Sequence, residues 1–302
     1  MSTIKKSGII TICGRPNVGK STLTNAFVGE KVAIVTNKPQ TTRNRICAIL
    51  NRGESQFVFV DTPGLHKART RLGDYMVNVV RESVSDVDAV LLLVEPIANI
   101  GAPEQELIDR IKKLGCPAVL VINKVDTLEK KETLLEVISC YSAAHTFDGV
   151  VPISAKNHEG VDELLTLLEG YLPEGPQLFP EDMVTDQPER QVMAEILREK
   201  LLLCLDKEIP HGTAVEITRF SEREDEVIEC DATIYCEKNS HKGIIIGKGG
   251  KMLKKVSTTA REDMERFFDC KVNLQTWVKV REDWRNREGI MRTFGFSEKD
   301  FE

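Results

Sequence analysis

The chain lacks an uninterrupted apolar run long enough to cross a bilayer, a C-x-x-C pair, and any Cys/His cluster at zinc spacing. Each absence removes a class of protein. Without an apolar stretch of about 20 residues, no helical span is expected. Met1 to Lys6 lacks the apolar segment of a signal peptide and leads directly into the first strand. Eight cysteines and five histidines are dispersed, with no metal constellation among them. Cys13, Cys47 and Cys204 sit inside apolar periodicity and read as buried free thiols of a reducing cytoplasm. Excess basic charge is missing too: the net charge is −6, so any nucleic-acid site must be a local patch. What remains is 302 residues, 41% hydrophobic and 29% charged, enough for a proper core in one large domain or two ordinary ones.

Against that background one stretch stands out, Gly14-Arg15-Pro16-Asn17-Val18-Gly19-Lys20-Ser21. It fits G-x-x-x-x-G-K-[ST], the loop that cradles phosphates. Its flanks suit the chemistry. Gly8 to Cys13 reads as a buried strand, and Ser21 to Val28, through Thr22, has apolar residues at helical spacing. Glycines let backbone N–H groups close around an anion, and the helix start adds its positive dipole end. In such a loop Lys20 reaches the β- and γ-phosphates and the Ser21 hydroxyl holds Mg²⁺.

Further along, strands are expected over Arg45 to Leu50 and Gln56 to Asp61, joined by a hairpin turn. The second is a continuous apolar run ending in Asp61-Thr62-Pro63-Gly64. A carboxylate at the carboxyl end of that strand lies where Mg²⁺ and phosphates bind in an open α/β sheet. Strands over Ala89 to Val94, Ala118 to Ile122 and Val150 to Ile153 alternate with helices over Pro103 to Leu114 and Gly160 to Tyr171. The middle strand of these ends in Asn123-Lys124-Val125-Asp126. A carboxylate such as Asp126 pairs with the N1 and exocyclic amino groups of guanine, a donor pair that adenine lacks. The Lys124 stem can lie along the purine plane, and the N–H groups of Ser154-Ala155 can receive the guanine O6.

Together these motifs resemble, in order, those of the translational-type GTPases. The polar segment with Gln40-Thr41-Thr42-Arg43 resembles the first switch of the Era-like branch. The resemblance implies a P-loop GTPase domain, a mostly parallel sheet with helices on both faces, that binds GTP and GDP. It implies that Thr42 coordinates the metal, with Thr41 as the alternative, beside Ser21 and Asp61. The Gly64 N–H would bond the γ-phosphate, and Lys20, Thr42, Gly64 and Asn17 would carry the catalytic work. Hydrolysis would release both switch loops. Leu65 stands where Ras-like proteins carry a water-positioning glutamine, so slow intrinsic hydrolysis is expected, with His66 an ordinary loop histidine. In relatives with the P-N-x-G-K-S form the asparagine helps hold a potassium ion, which makes Asn17 its expected ligand here.

The second half begins after a proline-rich segment, Leu172 to Pro188, of linker composition. The expected division is residues 1–172, a linker over 173–188, and a second domain over 189–302. A long helix over Glu189 to Asp206 precedes antiparallel strands over Thr213 to Phe220 and Val227 to Cys236. A helix over Met252 to Phe268 and a strand over Lys271 to Val280 follow Gly247-Lys248-Gly249-Gly250. Helix, strand, strand, helix, G-x-x-G, helix, strand resembles an α+β type II KH domain. Glycines at 247 and 249 let such a loop press against a nucleic-acid backbone. Between Lys238 and Arg292 about fourteen Lys and Arg stand against about seven Asp and Glu, and Lys248, Lys251, Lys254 and Lys255 crowd the loop. The tail interleaves Trp277 and Trp284 with basic residues suited to stacking on bases, although Trp277 reads as core.

A GTPase domain followed by a KH domain is similar to the Era-like GTPases of small-subunit ribosome assembly. That layout implies a monomer binding small-subunit ribosomal RNA near its 3′ end, and the small subunit itself, but not DNA. It implies a cytoplasmic location with peripheral contact at the inner face of the cell membrane. Two other readings of the chain are a signalling switch whose second domain docks protein, and an RNA chaperone in which hydrolysis only sets timing.

Overall fold

A computed structural model of the chain describes residues 4–38, 40–64, 70–83, 87–130 and 132–296. Leu65 and His66 lie outside the described residues. Two compact units emerge, the first ending at Asp186 and the second running from Gln187; the second also takes in Ile34–Thr41 and Ala68–Tyr75.

The first unit is built on β1 (Lys6–Cys13), β2 (Ile46–Arg52), β3 (Ser55–Asp61), β4 (Ala89–Val94), β5 (Ala118–Ile122) and β6 (Gly149–Pro152). They lie in the order β2-β3-β1-β4-β5-β6. The β2–β3 hairpin is antiparallel and every other pairing is parallel. β3, β4 and β5 are buried along their whole length, as expected of strands covered on both faces. The helices of this half of the chain are α1 (Lys20–Val28), α2 (Arg71–Glu82), of which Arg71–Tyr75 belong to the second unit, α3 (Ala102–Leu114), α4 (Glu132–Ala144) and α5 (Val161–Glu169). Successive strands from β1 fall on opposite sides of it, β3 on one and β4 on the other. That reversal opens a crevice at the carboxyl ends of the strands.

Two of these helices go beyond the sequence expectation. α2 buries Leu72, Tyr75, Met76, Val79 and Val80, a helical repeat that the sequence does display. α4 buries only Val137 and Tyr141 and leaves Leu135 exposed, a weaker pattern. The proline-rich segment of linker composition runs along the edge of the first sheet. Thr185 bridges Ala48 of the edge strand β2, the Ile49 N–H of the same strand donates to the Val184 carbonyl at 2.9 Å, and Glu174 bridges Lys6 at the start of β1. An edge strand covered in this way presents no free row of backbone groups.

The second unit holds α6 (Glu189–Cys204), β7 (Ala214–Glu222), β8 (Val227–Cys236), α7 (Asn239–Ile246), α8 (Lys251–Phe268), β9 (Lys271–Val280) and α9 (Glu288–Thr293). Its sheet runs β7-β8-β9, with β7–β8 antiparallel and β8–β9 parallel. Val192, Ile196 and Leu197 of α6 share a core with Cys230, Ala232 and Ile234 of β8 and Val256, Ala260 and Met264 of α8.

Three expectations need correction. Trp277 is 44% exposed on the edge strand β9, while Trp284 is fully buried. The Trp284 indole N–H donates to the Gly212 carbonyl at 2.9 Å and its ring meets Phe294 edge-on, so it stacks on no base. A tryptophan in an alternating strand faces whichever side the register sets, which single-residue hydrophobicity does not reveal. Cys204, at the end of α6, is half-buried, unlike Cys13 and Cys47.

Candidate functional site

The phosphate loop leaves β1 and enters α1 through backbone that L-residues seldom adopt. Gly19 has φ +102° and Asn17 φ +67°. A Cβ on Gly19 would stand 2.3 Å from the Asn123 side-chain nitrogen, so only glycine fits there. Across the crevice a Cβ on Gly64 would stand 2.7 Å from the Pro16 backbone, which presses the end of the β3 loop against the phosphate loop. Arg15 pairs with Glu104 of α3, a buried carboxylate that also accepts from the Gly101 N–H at 3.2 Å. Val18 is buried beneath the loop, and Thr22 is half-buried on the first turn of α1.

Lys20 is buried, and its ammonium donates to the Gly14 and Arg15 carbonyls at 3.2 and 3.0 Å. Burial pulls its pKa down, opposed by the Asp61 charge. Asp61 sits at the end of β3, level with Ile12 of β1. Its Oδ2 accepts from the Ser21 hydroxyl at 2.7 Å and from the Thr42 hydroxyl at 3.5 Å, and those two hydroxyls are 2.9 Å apart. Burial pushes the Asp61 carboxyl up, against the Lys20 charge and the Ser21 and Thr42 hydrogen bonds. Its Oδ1 is buried with no hydrogen-bond partner. An orphaned carboxylate oxygen beside two hydroxyls is a hard-oxygen set, and it fits Mg²⁺. Thr41 is placed elsewhere: its hydroxyl bonds Thr36 at 2.7 Å and the Lys38 carbonyl at 2.6 Å. Thr62 anchors the neighbouring turn by donating to the Ile12 carbonyl at 2.9 Å, and Pro63 is buried beside it.

The loops that follow β5 and β6 are knitted to this same loop through the Asn123 carboxamide. Asn123, 2% exposed, donates to the Val18 carbonyl at 2.8 Å and accepts from the Ala155 N–H at 3.0 Å. Lys124, with φ +64°, donates to the Asn17 carbonyl at 2.7 Å and to Glu95 at 2.6 Å. The Ser154 hydroxyl donates to one oxygen of Asp126 at 2.7 Å, and Asp126 itself is exposed to solvent. Glu95 and Glu104 carried no signal in the sequence, since a lone glutamate gives no hint of the lysine or arginine it will meet.

In the second unit the G-x-x-G turn divides its glycines by role. Gly247 has φ +73°, and a Cβ there would stand 2.7 Å from the Met252 Cβ, so it is an internal requirement. Gly249 and Gly250 also have positive φ, yet a Cβ on either meets nothing within 4 Å. The space beside the backbone is thus open at Gly249 and Gly250, while at Gly247 the direction a side chain would take is filled by Met252. Lys248, Lys251, Lys254 and Lys255 around the turn are exposed, and none forms an ion pair among the described residues. Further along α8 charge is neutralised internally, by Arg261–Glu265 at 2.8 Å and Arg266–Asp263 at 3.0 Å.

Fold and site together define a P-loop GTPase joined to a KH domain. Residues 9–124 match the family described as 50S ribosome-binding GTPase, and residues 208–285 match the KH domain family. GTPase Era of Ruminiclostridium cellulolyticum is 51% identical over 96% of this chain and 97% of its own length. GTPase Era of Alkaliphilus metalliredigens is 50% identical over 96% of this chain and 99% of its own. Among solved structures, a point variant of Aquifex aeolicus Era bound to GDP and AlF4⁻ superposes with a TM-score of 0.93 at 37% identity, covering 97% of this chain and 99% of that one. Era in complex with MgGDPNP and nucleotides 1506–1542 of 16S ribosomal RNA gives the same TM-score at 36% identity, with the same coverage. The chain belongs to the Era family of GTPases.

Proposed function

We propose that the chain is a GTP-driven switch that binds small-subunit ribosomal RNA near its 3′ end and acts in assembly of the small subunit. The observation that carries this reading is the Asn123 carboxamide, which ties the guanine-selecting loops to the phosphate loop, so that base identity and triphosphate are read by one rigid frame. The similar Era complex with MgGDPNP and a 16S fragment supports the RNA and the magnesium.

In this reading the loop Gly14 to Ser21, with Thr22 at the start of α1, surrounds the phosphates with N–H groups. Lys20 leaves the loop carbonyls for the β- and γ-phosphates. Ser21, Asp61 and Thr42 hold Mg²⁺, which supplies charge neutralisation at the phosphates when bound. The turn Asp61-Thr62-Pro63-Gly64 brings the Gly64 N–H to the γ-phosphate. Asp126 accepts the two guanine N–H groups, held at the right angle by Ser154, while Lys124 covers the base and the Ala155 N–H faces O6. With Leu65 after Gly64, no side-chain amide orients the attacking water there, so intrinsic turnover is slow. Asn17 holds a potassium ion beside the phosphates; equal GTP turnover in potassium and sodium buffers would exclude that role.

Gly249 and Gly250 form the floor on which a single RNA strand lies, with Lys248, Lys251 and Lys254 on its phosphates and Gly247 shaping the turn. The functional division is 1–172 for the GTPase domain, 173–188 for the connection and 189–302 for the KH domain. The protein acts as a cytoplasmic monomer that meets the inner face of the cell membrane peripherally. No helix among the described residues is long and apolar enough to cross a membrane. The deciding experiment is filter binding of a single-stranded RNA from the 3′ end of 16S with GTP, with GDP and without nucleotide. Affinity that follows the nucleotide supports the switch, and three equal affinities overturn it.

A further inference from the structure

Arg198 lies midway along α6 and is only 2% exposed. A guanidinium withdrawn from water that far is costly unless its charge is paired and its N–H groups are bonded. Glu195, one turn back, takes one edge through Nε at 2.7 Å and Nη2 at 2.5 Å. The other edge does not turn to the helix or the sheet beneath it. Nη1 donates to the Gln40 carbonyl at 3.3 Å, and Nη2 donates to the Thr41 carbonyl. Both carbonyls belong to the stretch Ile34–Thr41, which is part of the second unit, and the next residue in the chain is Thr42.

The same helix holds the stretch at two further points. Glu199 accepts from the Val35 N–H at 2.9 Å, and Lys38 donates to the Leu205 carbonyl at the end of α6. Of these anchors, that of Arg198 is the one adjoining Thr42. A guanidinium presents its donors in a fixed planar fork, so two successive carbonyls bound to it have little freedom to rotate. The peptide leading into Thr42 is thereby held, and the Thr42 hydroxyl lies 2.9 Å from that of Ser21.

We infer that Arg198 is a positioning residue of the nucleotide site: by clamping the Gln40 and Thr41 carbonyls it sets the Thr42 hydroxyl for the magnesium-bound triphosphate. The inference rests on the reading of Thr42 as a magnesium ligand.

The test uses the full chain and fluorescent GDP and a non-hydrolysable GTP analogue, each titrated with and without Mg²⁺. In Arg198→Met, GDP affinity stays within about twofold, because the diphosphate does not call on Thr42. Magnesium-dependent affinity for the triphosphate analogue falls about tenfold, the scale of a hydrogen bond to a charged group. Arg198→Lys recovers part of it, since one ammonium cannot span both carbonyls. Thr42→Ala loses a similar amount, and the double variant Arg198→Met, Thr42→Ala loses no more than Thr42→Ala alone, as expected when one residue acts through the other. If Thr42→Ala is impaired but Arg198→Met is not, the inference on Arg198 falls and the metal-ligand reading stands. If the losses multiply in the double variant, or GDP and triphosphate affinities fall together, Arg198 is a structural residue only. If Thr42→Ala itself is silent, the metal-ligand reading is wrong and this inference goes with it. Should Arg198→Met not fold, Arg198→Lys is carried through the same comparison.

Discussion

Asp126 shares one of its carboxylate oxygens with Ser154, which orients the group while leaving it exposed to a base. The selectivity of such a site comes from donors that only the right base offers. Asp126→Asn is therefore expected to weaken GTP by at least about a hundredfold and to move preference toward xanthosine triphosphate; competition binding with the two nucleotides checks this, and undiminished GTP preference would remove Asp126 from the site. Gly19 is constrained twice, by its φ of +102° and by the Asn123 nitrogen that a Cβ would strike. Gly19→Ala is expected to displace Asn123 from the Val18 carbonyl, loosening phosphate and base loops at once. Nucleotide binding by calorimetry should then fall by on the order of a hundredfold, the cost of about two such bonds. Among the thiols, burial pushes Cys13, Cys47 and Cys230 up to about 12, so all three are expected to resist alkylating reagents at neutral pH.

At the scale of elements, the edge of the first sheet depends on Gln56, a fully buried residue of β3. Its carboxamide oxygen accepts from the Leu178 and Phe179 N–H groups at 2.7 and 2.9 Å, and its nitrogen donates to the Phe179 carbonyl at 2.9 Å and to Asn51 at 2.8 Å. Gln56→Ala strands buried backbone groups, and a loss of about 2–3 kcal/mol is expected, read as a lower urea midpoint. The G-x-x-G turn predicts the opposite behaviour. Gly249 faces open space, so Gly249→Asp carries only the strain of a left-handed residue, about 1 kcal/mol, with no clash. The fold and GTP binding should survive while the added negative charge beside Lys248 and Lys251 abolishes RNA binding; unchanged RNA affinity would end the clamp assignment. The element pattern was legible wherever apolar periodicity ran unbroken, as in β3, β4 and α6. α2 shows the same kind of repeat in Leu72, Tyr75, Met76, Val79 and Val80. The positions of Trp277 and Trp284 were not legible, because a strand register and an aromatic cluster of Trp284, Phe294 and Phe296 decide them.

For the whole molecule, two functions share one chain, and the nucleotide is expected to regulate the RNA. On the proposed reading of Ser21, Thr42 and Asp61 as magnesium ligands, removing Mg²⁺ should erase any difference in RNA affinity between the GTP-bound and GDP-bound protein. Filter binding in EDTA measures it, and a difference that persists would mean that the phosphates alone drive the switch. The sequence by itself determined the class of protein, since phosphate loops, base-reading tetrapeptides and G-x-x-G turns are local: backbone geometry and a few adjacent side chains make each of them. What only the tertiary structure decided are the long-range partners, Arg15 with Glu104, Asn123 with Val18 and Ala155, and Arg198 with the Gln40 and Thr41 carbonyls. Those contacts join residues up to 158 positions apart, and no local pattern in a chain encodes which distant carbonyl a buried charge will find.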